Sequence, residues 1–344
     1  MKKQNRNKIS PVAAVITLIL LSALSLLLAL SLGSTGFRLG EFFQLLLGRA
    51  ASGTASVILS IRLPRALLSY LVGGALAVSG CCLQGVFKNH MADSHILGVS
   101  SGAGLGAAVA ITLNLGATAF GIGGVAVWAL VGGLGAMTFV YLLASGSARM
   151  GVSRSNTGAL LLAGVAVTSL LGALTSAIML IDRTNTDKIL LWTLGSFNGA
   201  TFEKARFAAL TILPASLLCM AFARPLNVML LGEEDARMLG VDYTRTMRAL
   251  MLLTTALTAS AVSVSGVIGF VGLMLPHIVR LLTGPDHKLL LPCSFLGGGI
   301  FLCVMDMLSR SLFPPLELPV GVLCAICGVP FFLWLLRKRG RISV

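Results

Sequence analysis

The chain has 344 residues, of which 56% are hydrophobic and 11% charged, and its formal net charge is +14. Water-soluble domains of this size do not carry that balance, so composition assigns an integral membrane protein. The 26 basic residues are scattered over many loops rather than gathered on one face, the pattern of the positive-inside rule, and this argues against nucleic acid as a partner.

The apolar runs repeatedly approach the roughly 20 residues that cross a hydrocarbon core about 30 Å thick, which predicts an all-α membrane protein. A barrel would show short alternating segments instead. The opening MKKQNRNK is basic and precedes a long apolar run. That length, with no small-x-small cleavage site to close it, predicts a retained first span. About ten transmembrane helices are expected, near 11–32, 57–83, 93–112, 119–143, 155–181, 200–222, 245–265, 267–283, 288–308 and 318–337. With the N-terminus in the cytoplasm, the inside loops and tails take the larger share of the basic residues, so both termini are expected to be cytoplasmic. The whole of 1–344 reads as a single transmembrane domain, with tails at 1–10 and 338–344 and one long polar cytoplasmic loop at 224–244.

At the outer start of the second span, IRLPR places Arg62 and Arg65 at a helix N-terminus. Cations there oppose the helix dipole and run against the charge bias of outside loops. They require an acidic partner, either a phospholipid headgroup or an acidic protein docking from outside. Further on, LGVSSGAGLGAA sets Gly98, Gly102 and Gly106 at four-residue spacing, which predicts close helix contact. ALAVSG at 75–80 and AVSVSG at 261–266 form a weak internal echo, each followed by a histidine, His90 and His277.

The stretch LLGEEDARMLGVD at 230–242 sets Glu233, Glu234 and Asp235 side by side in a chain with only 12 acidic residues. Three carboxylates in one membrane helix would cost roughly 8–10 kcal/mol on insertion scales, so the triplet is expected in water. Leu230, Leu231, Met238 and Leu239 surround it at spacings that predict a short amphipathic helix between Gly232 and Gly240. Such a helix either presents a face to another protein or merely joins two spans.

Chemistry-bearing motifs are few. No GxxxxGK[ST], HExxH or GxSxG occurs, and the four histidines share no helix at ligand spacing, so no catalytic residue, metal site or cofactor is expected. Asp306 is nearly the only acidic candidate at mid-membrane, and Arg310 four residues on predicts a structural ion pair rather than a proton relay. The seven cysteines, Cys324 and Cys327 of a CxxC among them, lie in or beside apolar runs and are expected to pack as small hydrophobes.

Seven ordered stretches carry a resemblance that covers nearly the whole chain. They include RLPRALLSYLVGGALAVSGCCLQGVFKN at 62–89, ILGVSSGAGLGA at 96–107, LNVMLLGEEDARMLGV at 226–241 and SGVIGFVGLMLPHIVRLLTGPDHKLLLP at 265–292, with shorter blocks at 160–166, 192–197 and 317–333. Together they resemble the iron-siderophore and cobalamin importer permeases, the membrane subunits of type II ABC importers. The resemblance implies ten spans in the cytoplasmic membrane of a prokaryote and a dimer with a second copy or a paralogue. It also implies cargo delivered by an extracytoplasmic substrate-binding protein, two cytoplasmic ABC ATPase subunits, and no enzymatic activity in this chain. Its loop matching 226–241 forms short helices seated in the ATPase, which implies coupling through Leu231, Gly232, Ala236, Leu239 and Gly240. Arg62, Arg65 and Arg310 match outer arginines that meet glutamates of the binding protein; Asn89, Met91 and Thr157 match a cytoplasmic gate. Gly195, Ser196 and Phe197 match a half-helix near the outer mouth.

One block departs from the family pattern. Where the family reads N-P-L-A-[DE]-P, this chain has Asn89, His90, Met91, Ala92, Asp93 and Ser94, and the loss of both prolines predicts a less rigid turn. The implied cargo is a ferric siderophore or related metal chelate, with cobalamin, heme and molybdate as alternatives. An ion-coupled secondary transporter is the competing reading from another class.

Overall fold

The computed structural model describes residues 10–31, 56–116, 118–119, 121–148 and 157–340. The elements are α1 (Pro11–Ser31), a π-helical turn (Ile58–Arg62) running into α2 (Leu63–Val86), α3 (Val99–Thr112), α4 (Gly124–Ala148), α5 (Thr157–Ile181), α6 (Thr186–Thr193) and α7 (Phe202–Ala221). They continue with α8 (Ala223–Met229), α9 (Glu233–Met238), α10 (Tyr243–Ser265), α11 (Val271–Thr283), α12 (His287–Ser311) and α13 (Val320–Gly340). No strand occurs among the described residues.

Seven of these segments are long and apolar enough to cross a membrane, namely α1, Ile58–Val86, and the apolar parts of α4, α5, α7, α10 and α12. Three shorter apolar helices, α3, α11 and the first part of α13, complete the set. In order and position these are the ten expected spans, and the chain is a multi-pass membrane protein. The tails beyond residue 10 and residue 340 lie outside the described residues.

α2 is the hub. It packs on α12, α10, α7 and α11, and nearly all of its side chains are buried. Association of helices in lipid relies on close packing, and glycine supplies it here. A Cβ on Gly73 would stand 2.2 Å from the carbonyl oxygen of Gly298 on α12, and one on Gly80 would stand 2.0 Å from that of Gly272 on α11. Ser79 Oγ adds a 2.9 Å hydrogen bond to Thr258 Oγ1 of α10. α3 and α4 repeat the arrangement, with Gly102 against the backbone of Gly132 and Gly106 against that of Trp128. Gly98 does not share it: it precedes α3 and meets α5 at ordinary contact distance.

ALAVSG and AVSVSG occupy different places in their helices. Ser79 and Gly80 lie inside α2, whereas Ser265 and Gly266 end α10 against Trp192 and Gly195. Four cheap residue types recur in membrane sequence without sharing an environment.

Two spans are broken rather than continuous. α3 has 14 residues and α11 has 13, roughly 20 Å each at the α-helical rise, which is short of the hydrocarbon core. Irregular backbone at 87–98 and 266–270 supplies the remainder, and the two stretches meet where His95 Nε2 lies 3.1 Å from the carbonyl oxygen of Ile268. The short α6 and its following turn close on the same place: Ser196 N–H donates to Ser265 O at 2.8 Å, and Gly195 lies beneath Val267. Non-helical backbone at membrane depth is tolerated where protein buries it, and broken helices of this kind mark transport proteins. Gly195, Ser196 and Phe197 follow the half-helix α6 instead of forming it.

Candidate functional site

Three clusters of polar side chains stand out, two at the end of the bundle that carries α8 and α9 and one at the opposite end. α9 lies between Gly232 and Gly240, as expected, because both glycines take positive φ (145° and 80°), where a side chain would be strained. The acid triplet fills its first turn, where negative charge meets the positive end of the helix dipole. Arg237 Nη2 closes the turn on Glu233 Oε1 at 2.6 Å, and Asp242 caps α10 by accepting from Arg245 N–H at 3.0 Å.

The coupling residues implied by resemblance divide in two. Leu231 and Leu239 are 63% and 61% exposed, and with Met238 at 78% and the less exposed Leu230 they put four large apolar side chains on the surface of one short segment. Ala236 is fully buried and belongs to the core.

α8 is clamped to the start of α12. Asn227 Nδ2 donates to Asp286 Oδ1 at 2.6 Å, while Asn227 Oδ1 accepts from His287 N–H at 3.0 Å and lies 2.7 Å from His287 Nδ1. Asp286 also caps α12 by accepting from Lys288 N–H. These bonds, the Lys288 amide first and Asn227 second, hold its carboxyl below the ordinary 3.8. α8 also sets Leu226 over Gly85 of α2, where a Cβ would come within 2.9 Å of it and 3.1 Å of His287 Nε2. Displacement of α8 therefore acts on α12 and on the hub together.

Asn227→Ala removes three hydrogen bonds at partly exposed positions, and we expect a loss of about 1–3 kcal/mol, read as a lower thermal midpoint in detergent. A depressed carboxylate pKa stabilises fully above the ordinary value and is lost as pH falls through the folded value. The Asp286 share of the difference between wild type and variant should accordingly hold steady above pH 3.8 and shrink only below it.

The second cluster is the 87–98 segment. Asn89 Oδ1 accepts from Met91 N–H at 2.9 Å and Asp93 Oδ1 accepts from Ser94 N–H at 2.7 Å. The Asn89 bond closes a side-chain turn two residues long, which restricts the backbone there much as a proline would. Arg280 of α11 adds a tie, with Nη2 donating to Gln84 Oε1 at 3.0 Å and Nη1 lying 3.1 Å from His90 Nδ1. Asn89 is exposed and Met91 half-buried. Thr157 opens α5, and its side chain lies outside the described residues.

At the opposite end, Arg62, Arg65 and Arg310 are all buried. Asp306 is the centre: Arg65 Nε donates to its two oxygens at 3.0 and 3.2 Å, and Arg310 Nε lies 3.4 Å from Oδ2. Arg65 Nη2 lies 2.9 Å from Asp306 and 3.0 Å from Glu317 Oε2, ion-pair distances without hydrogen-bond alignment. Arg65 Nη1 donates to Glu317 Oε1 at 3.3 Å. Arg62 donates to the last carbonyls of α1, Leu30 at 2.9 Å and Ser31 at 3.2 Å. For Arg65 the required acid thus comes from the chain itself. The Asp306–Arg310 pair exists, but Arg65 is the closer partner.

The family model of the FecCD transport family matches residues 18–338. The chain belongs to the FecCD transport family. Among its relatives, the cobalamin import system permease protein BtuC of Halobacterium salinarum is 45% identical over 287 residues, covering 83% of this chain and 75% of the relative. The hemin transport system permease protein HmuU of Yersinia pestis is 39% identical over 320 residues, covering 92% and 94%. A solved structure assigned to the metal-chelate type of ABC transporter, in an inward-facing conformation, superposes with a TM-score of 0.83 at 30% identity over 94% of this chain and 98% of that one. This FecCD chain is a transport permease.

Proposed function

We propose that this chain is the membrane permease of an ABC importer that carries a metal chelate across the cytoplasmic membrane of a prokaryote. Separate cytoplasmic ATPase subunits, two per assembly, drive it, and the chain itself catalyses no reaction. The observation that carries this reading is the α8–α9 segment, which lies between the candidate spans α7 and α10, exposes Leu230, Leu231, Met238 and Leu239, and is bonded through Asn227 to α12. Exposed apolar clusters of this kind mark contact with another protein. The acid-rich first turn keeps α9 in the cytoplasm, Leu231 and Leu239 meet the ATPase, Gly232 and Gly240 shape the element, and Ala236 seats it on the bundle.

Asn89, Met91 and Thr157 are proposed as the cytoplasmic gate, on the segment that Arg280 ties to α11. A substrate-binding protein is proposed to deliver cargo at the end that holds Asp306. Direct docking through Arg62, Arg65 and Arg310 requires these guanidiniums to leave their internal partners, so in the present state they brace the docking face from beneath. A second copy or a paralogue completes the pathway against α5, which the rest of its own chain covers least among the candidate spans.

The ion-coupled alternative needs a carboxylate free to exchange protons or ions within the bundle. Asp306, its best candidate, is held by two arginines. The test is uptake into vesicles holding the full assembly, offered labelled ferric siderophores, cobalamin or hemin, with either trapped ATP or an imposed ion gradient. Uptake of one chelate with ATP alone is expected. Uptake that follows the gradient and persists without the ATPase would overturn the proposal.

A further inference from the structure

α4 and α10 leave between them a cavity of about 290 Å³ that takes no part in the sites above. One end of it is lined by Arg248 and Tyr141, the other by Leu134 and Thr255. Arg248 lies roughly 8 Å along α10 from its first residue, Tyr243, at the end of the bundle that carries α9.

The deeper part of the cavity is dry in character. Thr138 Oγ1 donates to Leu134 O at 2.9 Å and Thr255 Oγ1 to Met251 O at 2.7 Å, so neither hydroxyl hydrogen is left for a ligand. Leu252, one turn beyond Arg248, lines the same cavity and is 73% exposed, which opens it sideways toward lipid. The other end is the reverse. Arg248 is exposed and, among the described residues, makes neither an ion pair nor a side-chain hydrogen bond; the Tyr141 hydroxyl is likewise without a partner. The nearest basic neighbour on α10, Arg245, is already paired with Asp242 at 3.1 Å, so the local carboxylate is taken.

We propose that this cavity is a binding site for an anionic phospholipid, with the phosphate on Arg248 and Tyr141 and an acyl chain between α4 and α10. An uncompensated guanidinium at the shallow end of an apolar slot matches such a lipid in both charge and polarity, because the cation stays at headgroup level while its stem and the slot remain apolar. The inference uses the proposed function only to place the lipid in the cytoplasmic leaflet; the binding itself follows from the cavity.

The test is native mass spectrometry of the purified full chain with equal phosphatidylglycerol and phosphatidylcholine added. Wild type is expected to retain phosphatidylglycerol preferentially. Arg248→Gln should lower that retention about fivefold with an unchanged thermal midpoint, and Arg248→Lys should keep most of it. Thr138→Trp, which fills the slot from an exposed position, should lower retention of both lipids. Equal retention by wild type and Arg248→Gln would overturn the proposal, as would displacement of the lipid by millimolar inorganic phosphate. So would a change of oligomeric state in Thr138→Trp with lipid retention unaltered, which would make the slot a subunit interface. Loss of uptake without loss of lipid binding would bear on the proposed function alone.

Discussion

Asp306→Asn is expected to destabilise the bundle by about 3–5 kcal/mol, the usual cost of removing one partner from a buried ion pair. The substitution keeps the shape of the side chain and deletes its charge, leaving Arg65 and Arg310 buried beside each other. Glu317 cannot replace it, because it reaches Arg65 from the loop before α13 and makes no comparable contact with Arg310. A lowered thermal midpoint in detergent and reduced yield are the readouts. The triple variant Arg65→Met, Asp306→Leu, Arg310→Met supplies the control, since apolar residues of similar volume often replace a buried charge cluster at no loss. If that variant is stable while Asp306→Asn is not, charge imbalance is the cause. If Asp306→Asn matches wild type, the cluster braces nothing.

The same cluster shows where reading along the chain stops. Arg65 and Glu317 are 252 residues apart, and Arg65 and Asp306 are 241 apart. IRLPR states that an acid is required and cannot say which one. The long-range ties of Asn227 to Asp286 and of Arg280 to Gln84 and His90 are hidden for the same reason, because hydrogen-bond partners brought together by packing leave no periodic signal. The spans themselves are plain, since the need to bury backbone polar groups in lipid forces long apolar helices whose length is read directly. Gly102 and Gly106 follow their four-residue spacing into contact with α4, while Gly98, at the same spacing, falls one step outside the helix. In α9 the flanking glycines and the acid triplet define the helix, yet spacing alone does not separate the inward Ala236 from the outward Leu239.

That separation decides how the coupling surface is tested. Leu231→Asp with Leu239→Asp is expected to lower ATP-driven uptake by more than tenfold while leaving the thermal midpoint within error. Both side chains are mostly exposed, so the isolated chain loses little when they become polar. At an interface each would surrender about 1.5–3 kcal/mol of apolar burial, and the added carboxylates would stand beside Glu233, Glu234 and Asp235. Even the lower figure for one leucine is about a tenfold loss of affinity. Ala236→Leu provides the contrast: with no exposed surface at Ala236, it should lower the midpoint first and uptake only as a consequence. Wild-type uptake and ATPase association by the double aspartate variant would show that α9 is a connector between α8 and α10 and that force enters the bundle elsewhere.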